Sequence, residues 1–505
     1  MSLAVLASRA LCGMHAPEVR VEVHLAQGLP SFTIVGLPDT GVRESRERVR
    51  SAILSSGYTF PAGRLTANLA PADLPKESGR FDLPIALGVL LASGQLVLPD
   101  SAARNSLPKM VFAGELSLTG ALVPVAAPLV IGLATARSGA QFTLILPLEN
   151  AKMVASIPGL TVLGARTLQE VVAHLTDTAP LTPVTGAPEL VDPGVSPLCL
   201  SDVRGQPLAC RALEVAASGG HGLLMSGPPG VGKSMLAQRL PGLLPPLDAD
   251  SAIEVAAIRS LRERSVLFSR QVPMRAPHHS TSAAALIGGG SNPRPGEISL
   301  AHHGVLFLDE LPEFQRRVLE SLREPMETGE ISIARAHRSV TYPCCFQLIA
   351  AMNPCPCGYQ GSEQRPCRCT PDQIERYQAR LSGPFLDRID MVLRLTPPGL
   401  GWAKSAPAEA SHLIRQRVVR CREQQRRRQG RLNAQLGSAQ MATFCELDQA
   451  AQHMLERADR HWGWSVRAVH RILRVARTIA DMAGAGQIRA EDLNEAMAFR
   501  QELGH

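Results

Sequence analysis

Val19, Val21, Val23 and Leu25 alternate with polar neighbours, the period-two pattern of a strand with one buried face. Helical spacing follows over 41–56 and 82–93, strand-like runs over 111–118 and 142–147, and a helix over 167–176. That mixture predicts an α+β domain over residues 1–177. Five prolines from Pro180 to Pro197, with Gly186 and Gly194 among them, then break any regular element, because proline fixes φ and lacks an N–H. Residues 178–199 are therefore expected to be a linker. Beyond it come short apolar runs at 221–226, 305–308 and 346–352, with a polar residue at each C-terminal end. These predict buried strands of an α/β module over 200–400. From about 408 the spacing is helical throughout, at 411–428, 440–458, 465–484 and 490–502, so residues 401–505 are expected to form an all-helical domain.

The strongest chemistry sits on those apolar runs. Gly227-Pro228-Pro229-Gly230-Val231-Gly232-Lys233-Ser234 is a complete phosphate-binding loop, following a short strand and opening a helix at Met235. Its glycines let backbone N–H groups close on the β- and γ-phosphates, Lys233 adds a point charge, and Ser234 offers a hydroxyl to Mg²⁺. The helix N-terminus favours the same anion. Val305-Leu-Phe-Leu ends in Asp309-Glu310: Asp309 suits the Mg²⁺ shell and Glu310 the polarisation of an attacking water. Asn353, at the tip of Phe346-Gln-Leu-Ile-Ala-Ala-Met, is placed to orient that water, the plain alternative being a turn before Pro354. These residues predict hydrolysis of ATP or GTP.

Composition narrows the partners. The 505 residues exceed what one core supports, and no apolar stretch reaches the roughly twenty residues that span a bilayer. The N-terminus lacks the pattern of a signal peptide, so a cytoplasmic location is expected, and the eleven cysteines point to thiols or metal rather than disulfides. A formal charge of +7 allows a polyanionic partner, while aromatics at 4% argue against a broad stacking platform for single-stranded bases.

Further segments stand out. Ala283-Ala-Ala-Leu-Ile-Gly-Gly-Gly290, followed by Asn292-Pro-Arg294-Pro, reads as a moving element or a tight backbone approach. Glu330 to Tyr342 alternates around Arg335-Ala-His337-Arg338, predicting a β-hairpin with a basic tip. Arg415, Arg417, Arg420, Arg422 and Arg426-Arg-Arg428 load one helix with positive charge, either as a solvated face or as extra phosphate contacts. Cys355-Pro-Cys357 and Cys367-Arg-Cys369 place four thiols in one Gly- and Pro-rich loop, matching a closed tetrahedral Zn²⁺ site, against the alternative of reduced surface thiols.

The order of phosphate loop, acidic strand, Asn-tipped strand and helical lid resembles an AAA+ ATPase. More closely, Arg275-Ala-Pro-His278-His279, Pro295 to Gly304, Asn353-Pro-Cys-Pro-Cys-Gly358, Leu381 to Asp390 and Ala476-Arg-Thr-Ile-Ala-Asp481 resemble the magnesium-chelatase-like AAA+ ATPases of the ComM/YifB family, over essentially the whole chain. The resemblance implies a homo-hexameric ring using ATP and Mg²⁺, with Arg388 as arginine finger and Arg467, in Trp464-Ser-Val-Arg467, as second sensor. For Arg388 the local alternative is an ion pair with Asp387 or Asp390, and for Arg467 plain solvation. It places the glycine loop and the hairpin at the central pore, where Arg335, His337 and Arg338 would meet the DNA backbone. It further implies branch migration or helicase action during integration of transforming DNA, with DNA and recombination proteins as partners and no membrane.

Ala70 to Gly79 and Ala113 to Val125, extended by Leu146-Pro-Leu-Glu-Asn150, resemble the Lon proteolytic domain (S5 domain 2-like). Arg80 stands where that family's serine nucleophile is expected and Leu129 where its lysine is; Ser78 and Lys76 are offset. The expectation is a Lon-like α+β domain without peptidase activity. Rival readings are a chelatase motor subunit, an ATP-dependent protease and a transcriptional activator. The last lacks its aromatic pore loop, Ala285-Leu-Ile-Gly288 standing there instead.

Overall fold

The structure, a computed structural model, describes residues 2–500 apart from 38, 75, 100, 140, 186–197, 264, 265, 267, 291, 292, 336, 337, 363, 364 and 398–404. Most of the proline-rich linker and the hairpin residue His337 thus lie outside the described residues. The chain forms two compact units, one of 1–191 with 249–269, the other of 192–248 with 270–505.

The first unit is built on a seven-stranded mixed sheet, in the order Ser31–Val35, Arg64–Ala70, Glu18–Ala26, Ser2–Arg9, Met110–Phe112, Thr143–Pro147, Thr161–Ala165. Val19, Val21 and Val23 all point into one core, as their alternation predicts, against the helices Thr40–Ser55 and Asp82–Ala92. The expected strand at 111–118 is two pieces, Met110–Phe112 and Glu115–Leu116. Gly114 N–H donates to Arg80 O at 2.9 Å and Leu83 N–H to Gly114 O at 3.0 Å, so this backbone leaves the sheet ladder. On the sheet's other face a second core gathers Leu129, Val130, Leu144 and Leu146 together with Ile253, Ala256 and Ala257. The helix Ala249–Ser260 follows the phosphate-loop helix in sequence, yet it buries its apolar side here.

The second unit carries a five-stranded parallel sheet in the order Met274–Arg275, Val305–Leu308, Gln347–Met352, Leu223–Ser226, Met391–Arg394. Its three middle strands are buried along their whole length, which explains why all their residues but Ser226 and Gln347 are apolar. The C-terminal part is helical, as expected, over Ser411–Gln429, Ser438–Phe444, Gln449–Trp462, Val466–Met482 and Ala490–Ala498. The helix expected at 440–458 is divided: Leu447 bridges to Ile488 in extended conformation, and Asp448 then caps a new helix by accepting from Ala451 N–H at 2.7 Å. This gives an α/β AAA+ module with a helical lid. Among the described residues no helix is long and apolar enough to cross a membrane.

A buried polar network joins lid and module. Arg477, 1% exposed, and Arg428 both pair with Asp481, whose near neighbour Thr478 meets His221 Nε2 at 2.7 Å just before the phosphate-loop strand. Arg471 pairs with Asp390 at 3.0 Å. Burial works against the charge on Asp390, but His221, Arg471 and Arg474 hold its carboxyl down to about 2.

Candidate functional site

A parallel sheet delivers the C-terminal tips of neighbouring strands to one edge, where ligands are usually held. Here the strand order sets Leu223–Ser226 beside Gln347–Met352, and that beside Val305–Leu308. Segments distant in sequence therefore meet: the phosphate loop, Asn353 and Asp309-Glu310. Gly230 and Gly232 have φ of 79° and 96°, open to glycine and strained for other residues, and the helix Lys233–Arg239 starts directly from them.

Lys233 Nζ donates to Gly227 O at 2.7 Å, Pro228 O at 2.9 Å and Asn353 Oδ1 at 3.1 Å. Burial lowers its pKa, opposed by the charges of Asp309 and Glu310. Ser234 Oγ donates to Asp309 Oδ2 at 2.5 Å. A hydroxyl beside a carboxylate is the hard-oxygen donor pair that suits Mg²⁺. Glu310 adopts a left-handed backbone, φ 52°, uncommon for a non-glycine residue, and its carboxylate is about half exposed. His279 Nδ1 lies 3.0 Å from Glu310 Oε2. Sequence reasoning missed this partner: His279 belongs to the Arg275–His279 string, but nothing along the chain marks its contact with Glu310.

Arg388 is paired with neither Asp387 nor Asp390. Its Nη2 lies 2.6 Å from Glu327 Oε1, with the side chain only 10% exposed. Arg467 is exposed near the start of the helix Val466–Met482. Its neighbours on that helix are held elsewhere, Arg471 by Asp390 and Arg477 by Asp481.

The glycine loop and the hairpin are adjacent. Glu330–Arg335 pairs with Arg338–Pro343 up to Arg335 opposite Arg338. Tyr342 Oη donates to Pro293 O at 2.7 Å, and a Cβ on Gly288 would fall 2.8 Å from Ile333 Cδ1. Gly288 thus serves a close backbone approach. Most arginines of the basic helix are tied down: Arg415 to Gly242 O, Arg417 to Glu214 and Glu409, Arg422 to Ala217 O and Arg428 to Asp481. Arg420, Arg426 and Arg427 remain at least partly exposed.

The four loop cysteines converge. Sγ···Sγ distances are 3.3 Å for Cys355–Cys357, 3.6 Å for Cys355–Cys367 and 3.5 Å for Cys357–Cys367, and all four sulfurs, Cys369 included, lie within 4.8 Å of one another. A tetrahedron with metal–sulfur bonds of about 2.3 Å separates its sulfurs by about 3.8 Å, so this set fits Zn²⁺. Backbone N–H groups of Gln360, Cys357 and Cys369 point at the sulfurs of Cys355, Cys369 and Cys367. In the first unit, Ser78 Oγ accepts from Arg80 Nε at 3.1 Å while Lys76 Nζ donates to Pro71 O. Leu129 is fully buried in the apolar core.

The family described as Magnesium chelatase, subunit ChlI, matches residues 199–399; Subunit ChlI of Mg-chelatase matches 21–150, and Magnesium chelatase, subunit ChlI C-terminal, matches 408–500. The chain is 49% identical over 505 residues to the YifB protein of Salmonella typhimurium, covering 99% of this chain and 97% of that one. It is 47% identical over 508 residues to the competence protein ComM of Haemophilus influenzae, covering 99% and 98%. A more distant likeness, 25% over 180 residues, covers 31% of this chain and 53% of the magnesium-chelatase 38 kDa subunit of Cereibacter sphaeroides. Because the similarity to YifB and ComM runs the full length at nearly half identity, while that chelatase subunit matches under a third of the chain, the protein belongs to the magnesium-chelatase-like ComM/YifB family, with the ATPase motor architecture of AAA+ proteins.

Proposed function

We propose that this protein assembles into a ring, a homo-hexamer, and hydrolyses ATP to move DNA, acting as a branch-migration helicase. The observation that carries the motor is the single sheet edge holding Lys233, Ser234, Asp309, Glu310 and Asn353. Loop N–H groups and Lys233 bind the phosphates. Ser234 and Asp309 hold Mg²⁺, which offsets phosphate charge when bound. Glu310 takes a proton from the attacking water while Asn353 orients it. Arg388, released from Glu327, reaches the neighbouring subunit's nucleotide, and Arg467 reports nucleotide state to the lid. The adjacent glycine loop and hairpin, with Arg335, His337 and Arg338, bear on the DNA backbone.

The DNA reading draws on full-length similarity to a protein named for competence. Cys355, Cys357, Cys367 and Cys369 would hold a structural Zn²⁺. The first unit, with Ser78 and Lys76 each bonded elsewhere, is proposed to have no peptidase activity. A second reading, a chelatase-type motor acting on a partner protein, draws on the family descriptions.

The deciding experiment measures ATP hydrolysis without DNA and with single strands, duplex or a four-way junction. Stimulation by DNA that disappears in Glu310→Gln supports the DNA motor, and junction preference supports branch migration. Indifference to every DNA overturns it in favour of the second reading.

A further inference from the structure

The cysteine loop begins directly after Asn353 and folds back onto the phosphate loop. Gly358 closes a turn by donating its N–H to Cys355 O at 2.9 Å, with φ 85°. A Cβ there would lie 2.6 Å from Pro229 Cδ and 3.8 Å from Asn353 Cγ, so the loop's backbone rests on both parts of the nucleotide site. Among the described residues, Gln378 Nε2 donates to Pro354 O at 3.2 Å and Arg394 Nη2 to Gln360 O at 3.3 Å, tying the loop from outside. Apart from Pro354, Cys355 and Gly358, which are buried, its described residues are half-buried or exposed, so hydrophobic burial alone supplies little to offset the entropy of fixing it.

We propose that the four-cysteine loop is a metal-locked clamp on the ATPase site: the cross-link between Cys355, Cys357, Cys367 and Cys369 holds Gly358 against Pro229 and Asn353, and turnover rather than nucleotide binding depends on it. This rests on the zinc reading but adds a role for it. Binding uses loop N–H groups and Lys233, which the clamp does not supply. Orientation of water by Asn353 needs its side chain held within a fraction of an ångström, and that is what the clamp supplies. Gly358 and the metal-bound cysteines are positioning residues, since none touches the reacting atoms.

The test compares full-length wild type, a Cys367→Ser/Cys369→Ser variant and Gly358→Ala. Zinc per chain is measured by mass spectrometry, binding with a fluorescent ATP analogue, turnover by phosphate release and folding by thermal melting. Wild type should carry one zinc and the double variant none, with analogue affinity within about threefold and kcat down about tenfold or more. Gly358→Ala should keep its zinc and its affinity and still lose turnover to a similar extent. Wild-type protein without zinc would sink the metal reading, while Gly358→Ala would still decide whether the loop clamps the site. A wild-type kcat in Gly358→Ala, or equal loss of binding and turnover, overturns the clamp. If the double variant does not fold, Gly358→Ala decides by itself.

Discussion

Nδ1 of His279 lies 3.0 Å from Oε2 of Glu310. The histidine sits four residues before the helix Ala283–Ile287 of the glycine loop, so the segment leading to that loop also touches the acidic strand's tip. If the contact positions Glu310, His279→Ala should lower kcat about tenfold with nucleotide affinity within about twofold, and His279→Gln, which keeps a donor, should recover part of it. Unchanged turnover in His279→Ala would remove the residue from the mechanism.

Lys233→Ala should abolish nucleotide binding, because it deletes the cation bonded to both the loop and Asn353. Glu310→Gln should bind ATP normally and slow hydrolysis by about 10²-fold or more, the usual contribution of a positioned base. Equilibrium binding and single-turnover hydrolysis separate the two effects.

Arg388 presents a test of assembly. Alone in its subunit it pairs with Glu327; acting across a ring, it should be worth about 10³-fold in turnover. Arg388→Ala and Lys233→Ala proteins, each inactive, should regain activity when mixed, since the mixed ring contains interfaces with one intact site and one intact arginine. Failure of the mixture, with ring formation verified by light scattering, would leave Arg388 a structural residue.

Arg335 and Arg338 are register partners at the end of the hairpin ladder. Replacing both with alanine should weaken DNA binding evenly across sequences and reduce its salt-dependence slope by about 1 per lost phosphate contact, while basal ATP hydrolysis persists. Binding isotherms at several salt concentrations read this directly; equal loss of basal activity would contradict a DNA-contacting hairpin.

The Asp390 carboxyl, held down to about 2 against an ordinary 3.8, anchors Arg471 of the lid. A depressed folded value means its stabilisation is present above the unfolded value and is lost as pH falls through the folded one. Asp390→Asn should therefore cost about 3 kcal/mol near neutrality, the scale for stranding a buried charge, and progressively less from about pH 4 towards 2. Urea titrations at pH 7 and pH 3 would show a constant difference if the pair were irrelevant.

Much of the proposed nucleotide site was legible in the chain because its parts are local: a glycine-rich loop between strand and helix, and apolar strands whose polar residues gather at their tips. Strand burial, the α/β class and most lid helices follow from periodicity, which reports one element's environment at a time. The broken helix at Leu447 escaped that reading because its cause is a bridge to Ile488, some forty residues on, and not a local breaker. The position of Ala249–Ser260 escaped it too, since an apolar helix face does not state which core it enters. Sequence alone thus determined that the chain carries a phosphate loop, an acidic strand end, four paired cysteines and a basic hairpin. Only the tertiary structure decided that His279 meets Glu310, that Arg388 rests on Glu327, that Arg471 reaches Asp390 and that Gly358 lies on Pro229. Each of those joins residues far apart in the chain, and such pairings depend on strand order and helix packing, which no single segment encodes.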